Sequence, residues 1–81
     1  MMRMLAVGDL VWVAPAVYPT NNPLGFVYRV IQTFEWSAPA GYQWVRGCEL
    51  DEDGGPVQLR TLMLPPAEVA WLPSAVTSLA W

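Results

Sequence analysis

The stretch GGPVQLRTLMLPP, residues 54 to 66, sets Gln58 and Arg60 among apolar neighbours. Residues two apart in a strand share a face, so this pair presents an amide and a guanidinium side by side. Lining a cleft or a symmetric pore, Arg60 would hold an anion through bidentate hydrogen bonds. On an ordinary exposed strand face the same side chains are simply solvated. Trp36, Tyr42 and Trp44 are a second candidate group. With Trp12, Tyr28 and Trp71 they could form an aromatic cage or a groove for an extended ligand. The competing reading puts most of these rings in the core or an interface, because a cage uses fewer large side chains than this chain supplies.

Other chemistries are poorly served. The chain has no His, so Ser-His-Asp and Cys-His arrangements cannot be built and transition-metal ligands shrink to one thiol and the carboxylates. Cys48 sits in mid-strand and reads as a small buried hydrophobe rather than a nucleophile; Arg46 is the only local group that would depress its pKa. Asp51, Glu52 and Asp53 lack the further oxygen ligands of a calcium loop, so they read as a solvated turn. Glu35 and Glu49 would do acid–base work only if two strands aligned them. No cofactor or metal is expected.

The elements that must position these residues come from 81 residues, one domain. A domain of this size buries only about 60 to 65% of its unfolded surface. Yet the chain is 54% hydrophobic and 14% charged, with five Trp, which is more apolar material than one small core hides. One buried Trp removes roughly 200 Å² from water, worth about 5 kcal/mol as an upper bound. Self-association is therefore the expected outlet. The net charge is −3 and the cations are Arg3, Arg29, Arg46 and Arg60, with no Lys; four scattered Arg make a poor footprint for nucleic acid. No apolar run approaches the ~18 residues of a spanning helix. Met1 to Val7 is too short to be a secretory leader before Gly8 and Asp9, and Cys48 has no internal partner, so a cytoplasmic location is expected.

Runs rich in Val, Trp, Tyr and Phe between Pro, Gly and Asn punctuation predict an all-β chain. Strands are expected over Val7 to Ala14, Phe26 to Trp36, Tyr42 to Leu50 and Pro56 to Leu64, with an irregular loop over Pro15 to Gly25. In the second strand Phe26, Tyr28, Val30, Phe34 and Trp36 are expected on one side and Val27, Arg29, Ile31 and Thr33 on the other. Gly47 marks a bulge or a close approach of another backbone. Asp51 to Gly55 has hairpin chemistry. Pro65 and Pro66 break the fourth strand, and Ala67 to Leu72 fits one helical turn followed by a short closing strand. The architecture expected is a five-stranded small barrel with one short helical turn before its last strand, its core over about residues 5 to 72, closed so that no edge invites aggregation. The apolar tail, residues 73 to 81, with Val76, Leu79 and Trp81, must pack on this barrel or a neighbour's.

The succession "VGDLVWV", long loop, "GFVYRV", "GYQWVRG", acidic turn, "PVQLRTL", Pro-interrupted turn and "EVAWL" resembles a small barrel of the Src-homology-3 type, over roughly residues 5 to 72. Within that architecture the nearest likeness is to the plasmid-borne type II dihydrofolate reductases, whose barrels assemble as tetramers around a pore. A Val-Gln-Ile-Tyr strand lines that pore and binds folate and NADPH. "VGDLV" resembles the family's Gly-Asp start, and Val57, Gln58 and Leu59 match the first three pore positions. Arg60 stands where the family has Tyr, and Val13 or Ala14 where it has Lys. These departures remove a hydroxyl of the reaction centre and a cation that attracts phosphate and carboxylate groups. What the resemblance implies is the assembly.

The residues thus point to a non-enzymatic, self-associating small-barrel binding module, with a protein or an anionic small molecule as partner. The alternative is an oligomeric enzyme or ligand-binding protein whose symmetry-generated pore takes a nucleotide-like or anionic molecule.

Overall fold

Alternating β-branched and aromatic residues form five antiparallel strands in one sheet, seen in a computed structural model that describes residues 3–19 and 22–73. They are β1 (Leu10–Val13), β2 (Phe26–Thr33), β3 (Gln43–Leu50), β4 (Pro56–Leu64) and β5 (Ala70–Leu72), in the spatial order β4-β3-β2-β1-β5. The chain is all-β. Among the described residues no helix is long and apolar enough to cross a membrane. The tail carrying Val76, Leu79 and Trp81 lies outside the described residues.

The punctuation acts where the residue types require. Gly54 takes φ +83° in the β3–β4 turn. There Asp51 Oδ1 accepts from the N–H groups of Asp53 (2.9 Å) and Gly55 (2.8 Å). β1 is shorter than expected because Ala6 to Asp9 forms a tight turn, in which the Ala6 N–H donates to Asp9 Oδ2 at 2.7 Å. After β4, Pro65 to Glu68 makes a single turn, the Glu68 N–H donating to the Pro65 carbonyl at 3.0 Å. This one turn stands where a single helical turn is expected, and the chain then re-enters the sheet at Ala70 as the short closing strand.

One face of the sheet buries Val11, Val13, Phe26, Tyr28, Val30, Val45, Leu62 and Leu64, together with Leu5 and Val69. Branched aliphatic residues dominate this core. Trp71 packs partly buried against it, but Trp12 and Trp36 are exposed and Trp44 is half-buried. Of the rings read as candidate core material, only Tyr28 is fully enclosed.

Two findings revise the expected topology. Val30 pairs with Gly47 and Gln32 with Arg46, so Ile31 is extruded as a β-bulge. An extra residue reverses every later side chain, and Phe34, whose N–H reaches the Trp44 carbonyl at 3.2 Å, joins the outer face rather than the face of Phe26, Tyr28 and Val30. Trp36 follows it there. In addition, no ladder joins β4 to β5 among the described residues. β5 is only three residues long and is engaged by β1, so among the described residues closure by backbone pairing is not made and the outer edge of β4 has no strand partner.

Candidate functional site

Gln58 and Arg60 extend the inner face of β4 beyond Leu62 and Leu64, at the end of the sheet nearest the Asp51–Gly55 turn. Gln58 is exposed opposite Glu49, and Arg60 lies opposite Gly47. The Arg60 guanidinium is held by Glu49, Nη1 to Oε1 at 3.0 Å, with both side chains about four-fifths buried. It also stands 5.4 Å from the Tyr18 ring and 5.2 Å from the Phe26 ring. Tyr18 meets Phe26 edge-on at 6.3 Å and Phe26 meets Tyr28 at 6.1 Å. Largely buried ion pairs of this kind fix geometry more than they add stability. The positive charge is thus committed within the chain, which disfavours an anion site on this strand.

Tyr28 explains why the sequence has a glycine in mid-strand. Its phenol O–H donates to the Arg60 carbonyl at 2.7 Å, so the ring starts on β2, crosses β3 and ends on β4. It crosses at Gly47, where an added Cβ would meet the Tyr28 ring and the Arg29 carbonyl oxygen. The close-approach reading of Gly47 therefore holds, while the bulges fall at Ile31 and between Glu49 and Leu50.

Burial pushes the Tyr28 phenol well above its ordinary value of 10.0, and the nearby Arg60 charge only partly opposes this. A pKa raised by folding contributes stability that is complete below the unfolded value and is lost as pH rises above it. Between about pH 10 and the folded pKa, this single group should cost about 1.4 kcal/mol per pH unit. Urea midpoints taken from about pH 8 to about pH 11 should fall at the alkaline end. Tyr28→Phe should flatten that fall while losing about 1 kcal/mol at neutral pH through its missing hydrogen bond. An unchanged alkaline slope in Tyr28→Phe would show that the phenol is not the group responsible.

The aromatic candidates separate into another place. Phe34 stacks on Trp36 at 3.9 Å and 13°, and Trp36 meets Trp44 edge-on at 5.7 Å. The Trp44 indole N–H donates to the Ser37 carbonyl at 3.2 Å. Tyr42 is exposed in the turn joining β2 to β3, its N–H donating to Pro39 at 3.0 Å. Trp44 pairs with Met63, whereas Gln58 pairs with Glu49. The two candidate groups therefore lie at opposite ends of the β3–β4 ladder and on opposite faces. Glu35 and Glu49 lie at opposite ends of the β2–β3 ladder, as Glu35 follows β2 at the aromatic end. Cys48, a half-buried free thiol, lies on the outer face opposite Leu59.

One feature escaped the sequence altogether, a cleft of about 520 Å³ on the outer face. Trp12, Val27 and Leu50 lie in one row across β1, β2 and β3, with Val57 beside them on β4. Leu24, Asp51 and Glu52 also line it. Apolar alternation on both faces of β1 was the available signal, but a cleft needs the register of four strands. Comparison with protein families, with curated proteins and with solved structures gives no match to this chain.

Proposed function

We propose that the protein is a non-enzymatic, self-associating interaction module of small-barrel type. The observation that carries this reading is the β4 edge, which pairs with no strand among the described residues and on which Val57 and Leu59 are 54% and 55% exposed. An open strand edge is a template for another strand, and exposed apolar side chains beside it supply the burial that makes such pairing stable. The aromatic excess supports the same conclusion. The core is filled mainly by Val and Leu with Phe26 and Tyr28, and Trp12, Trp36 and Tyr42 remain at the surface. The likeness to the Src-homology-3 type is supported by five antiparallel strands with a single turn before the last. Self-association uses the β4 edge and its outer face, while the segment that ends at Gly25 meets a partner. A cytoplasmic setting, with Cys48 as a thiol, completes the proposal.

Light scattering over a dilution series tests it. The native chain should give a particle heavier than its 9.0 kDa monomer. Leu59→Glu places a carboxylate on the outer face of the open edge and should weaken association by about tenfold or more. A monomer at every concentration for the native chain would end the reading.

A further inference from the structure

The turn ahead of β2 displays a large apolar side chain in a fixed position, at 78% exposure for Leu24. Three interactions hold it. Asn22 Oδ1 accepts from the Leu24 N–H at 3.0 Å, the Gly25 N–H donates to the Asn22 carbonyl at 3.1 Å, and the Trp12 indole N–H donates to the Leu24 carbonyl at 2.9 Å. Gly25 makes this turn possible, with φ +78° and the Val13 carbonyl where a Cβ would stand. A leucine held out from the core by its backbone forfeits burial in the free protein, and pre-organisation of that kind lowers the cost of binding.

We propose that the cleft between this turn and the β3–β4 hairpin binds an extended segment of another protein that carries apolar side chains next to Arg or Lys. This rests on the interaction-module reading and names the partner of its second surface. Dimensions support a peptide. The floor of Trp12, Val27, Leu50 and Val57 crosses four strands, about 14 Å at the usual strand spacing, the span of roughly four extended residues. Its volume of about 520 Å³ suits a few side chains.

Charge selects among peptides. Asp51 and Glu52 line the cleft and, among the described residues, no Arg or Lys does, while the Glu49 carboxylate turns to Arg60 on the inner face. Asp51 Oδ1 is held by amides of its own turn, which leaves the exposed Glu52 to meet a ligand. With a net charge of −3 on the chain, a second copy would add like charge at this rim, whereas a cationic segment complements it.

The test uses the full chain labelled with ¹⁵N and two acetylated probe peptides, Leu-Arg-Leu-Arg-Leu-Arg and Leu-Glu-Leu-Glu-Leu-Glu. The Trp12 indole N–H and the amides of Leu24 and Gly25 should shift saturably with the arginine peptide below about 1 mM. They should respond about fivefold more weakly, or not at all, to the glutamate peptide. Leu24→Ala and Glu52→Arg, both at exposed positions, should each reduce affinity for the arginine peptide. Unmoved resonances, or shifts equal for both peptides, would overturn the proposal. So would movement of the Trp12 indole signal on dilution of the free protein, which would assign the cleft to a second copy, or loss of the residue 74–81 signals' native positions in Leu24→Ala without peptide binding, which would assign it to the chain's own tail. Light scattering on the same samples reports self-association separately, so loss of one activity without the other is readable.

Discussion

Gly47→Ala is expected to destabilise the protein by about 3 kcal/mol, and Gly47→Val to prevent stable folding. The reason is local and steric. Gly47 is buried between β2 and β4, and a Cβ there meets the Tyr28 ring at contact distances of 2.5 and 2.7 Å as well as the Arg29 carbonyl oxygen. Neither neighbour can retreat. The ring is anchored by its O–H at the Arg60 carbonyl, and the carbonyl belongs to the adjacent strand. A domain of this length has about 4 to 12 kcal/mol of total stability, so the larger side chain exceeds what the fold tolerates. Backbone preference is not the cause, since Gly47 is not among the glycines with positive φ. Gly41→Ala is the matching control: it has φ +86° in open space, and should lose only about 1 kcal/mol. Urea unfolding followed by Trp fluorescence measures both. Tyr28→Leu in the Gly47→Ala background should restore part of the loss, as coupled neighbours do. A cost below about 1 kcal/mol for Gly47→Ala would mean that the ring does not cross the strand there.

Gln43→Leu should cost about 3 kcal/mol, although it replaces a polar core residue by an apolar one. Gln43 is 8% exposed, and its amide pairs reciprocally with one residue. The Leu5 N–H donates to Oε1 at 2.9 Å, and Nε2 donates to the Leu5 carbonyl at 2.9 Å. The side chain thus substitutes for a missing strand, and it fixes Leu5 in the core 38 positions away. Leucine leaves both backbone groups buried without partners, at about 1 to 3 kcal/mol each. Gln43→Glu gives a sharper test. A protonated carboxyl has one donor and one acceptor and reproduces the amide pattern, whereas the carboxylate sets an oxygen against the Leu5 carbonyl. Burial raises the folded pKa of the introduced acid, so its stabilising form is complete below the unfolded value of about 4.3 and is lost as pH rises. Relative to the native chain, Gln43→Glu should match Gln43→Leu near pH 7 and recover most of the difference near pH 4. Equal deficits at both pH values would contradict the reciprocal pairing.

The residue pattern alone determined the all-β class, the bounds of β4 at Pro56 and Leu64 and the glycine-bearing turn after Asp51, and it marked Gly47 as either a bulge or a close approach, between which the Tyr28 ring decided. These are local matters. Strand alternation, Pro placement and positive φ act within a few residues and leave a direct trace in residue type. Tertiary structure decided how the candidates combine. The bulge at Ile31 sends Phe34 and Trp36 to the outer face, Glu49 takes the charge of Arg60, and Gln43 finds Leu5. The outer cleft also exists only once four strands are in register. A one-residue shift in pairing exchanges the faces of a strand at no cost to local propensity. The choice is therefore made by contacts distant in sequence, which no short window of residues records.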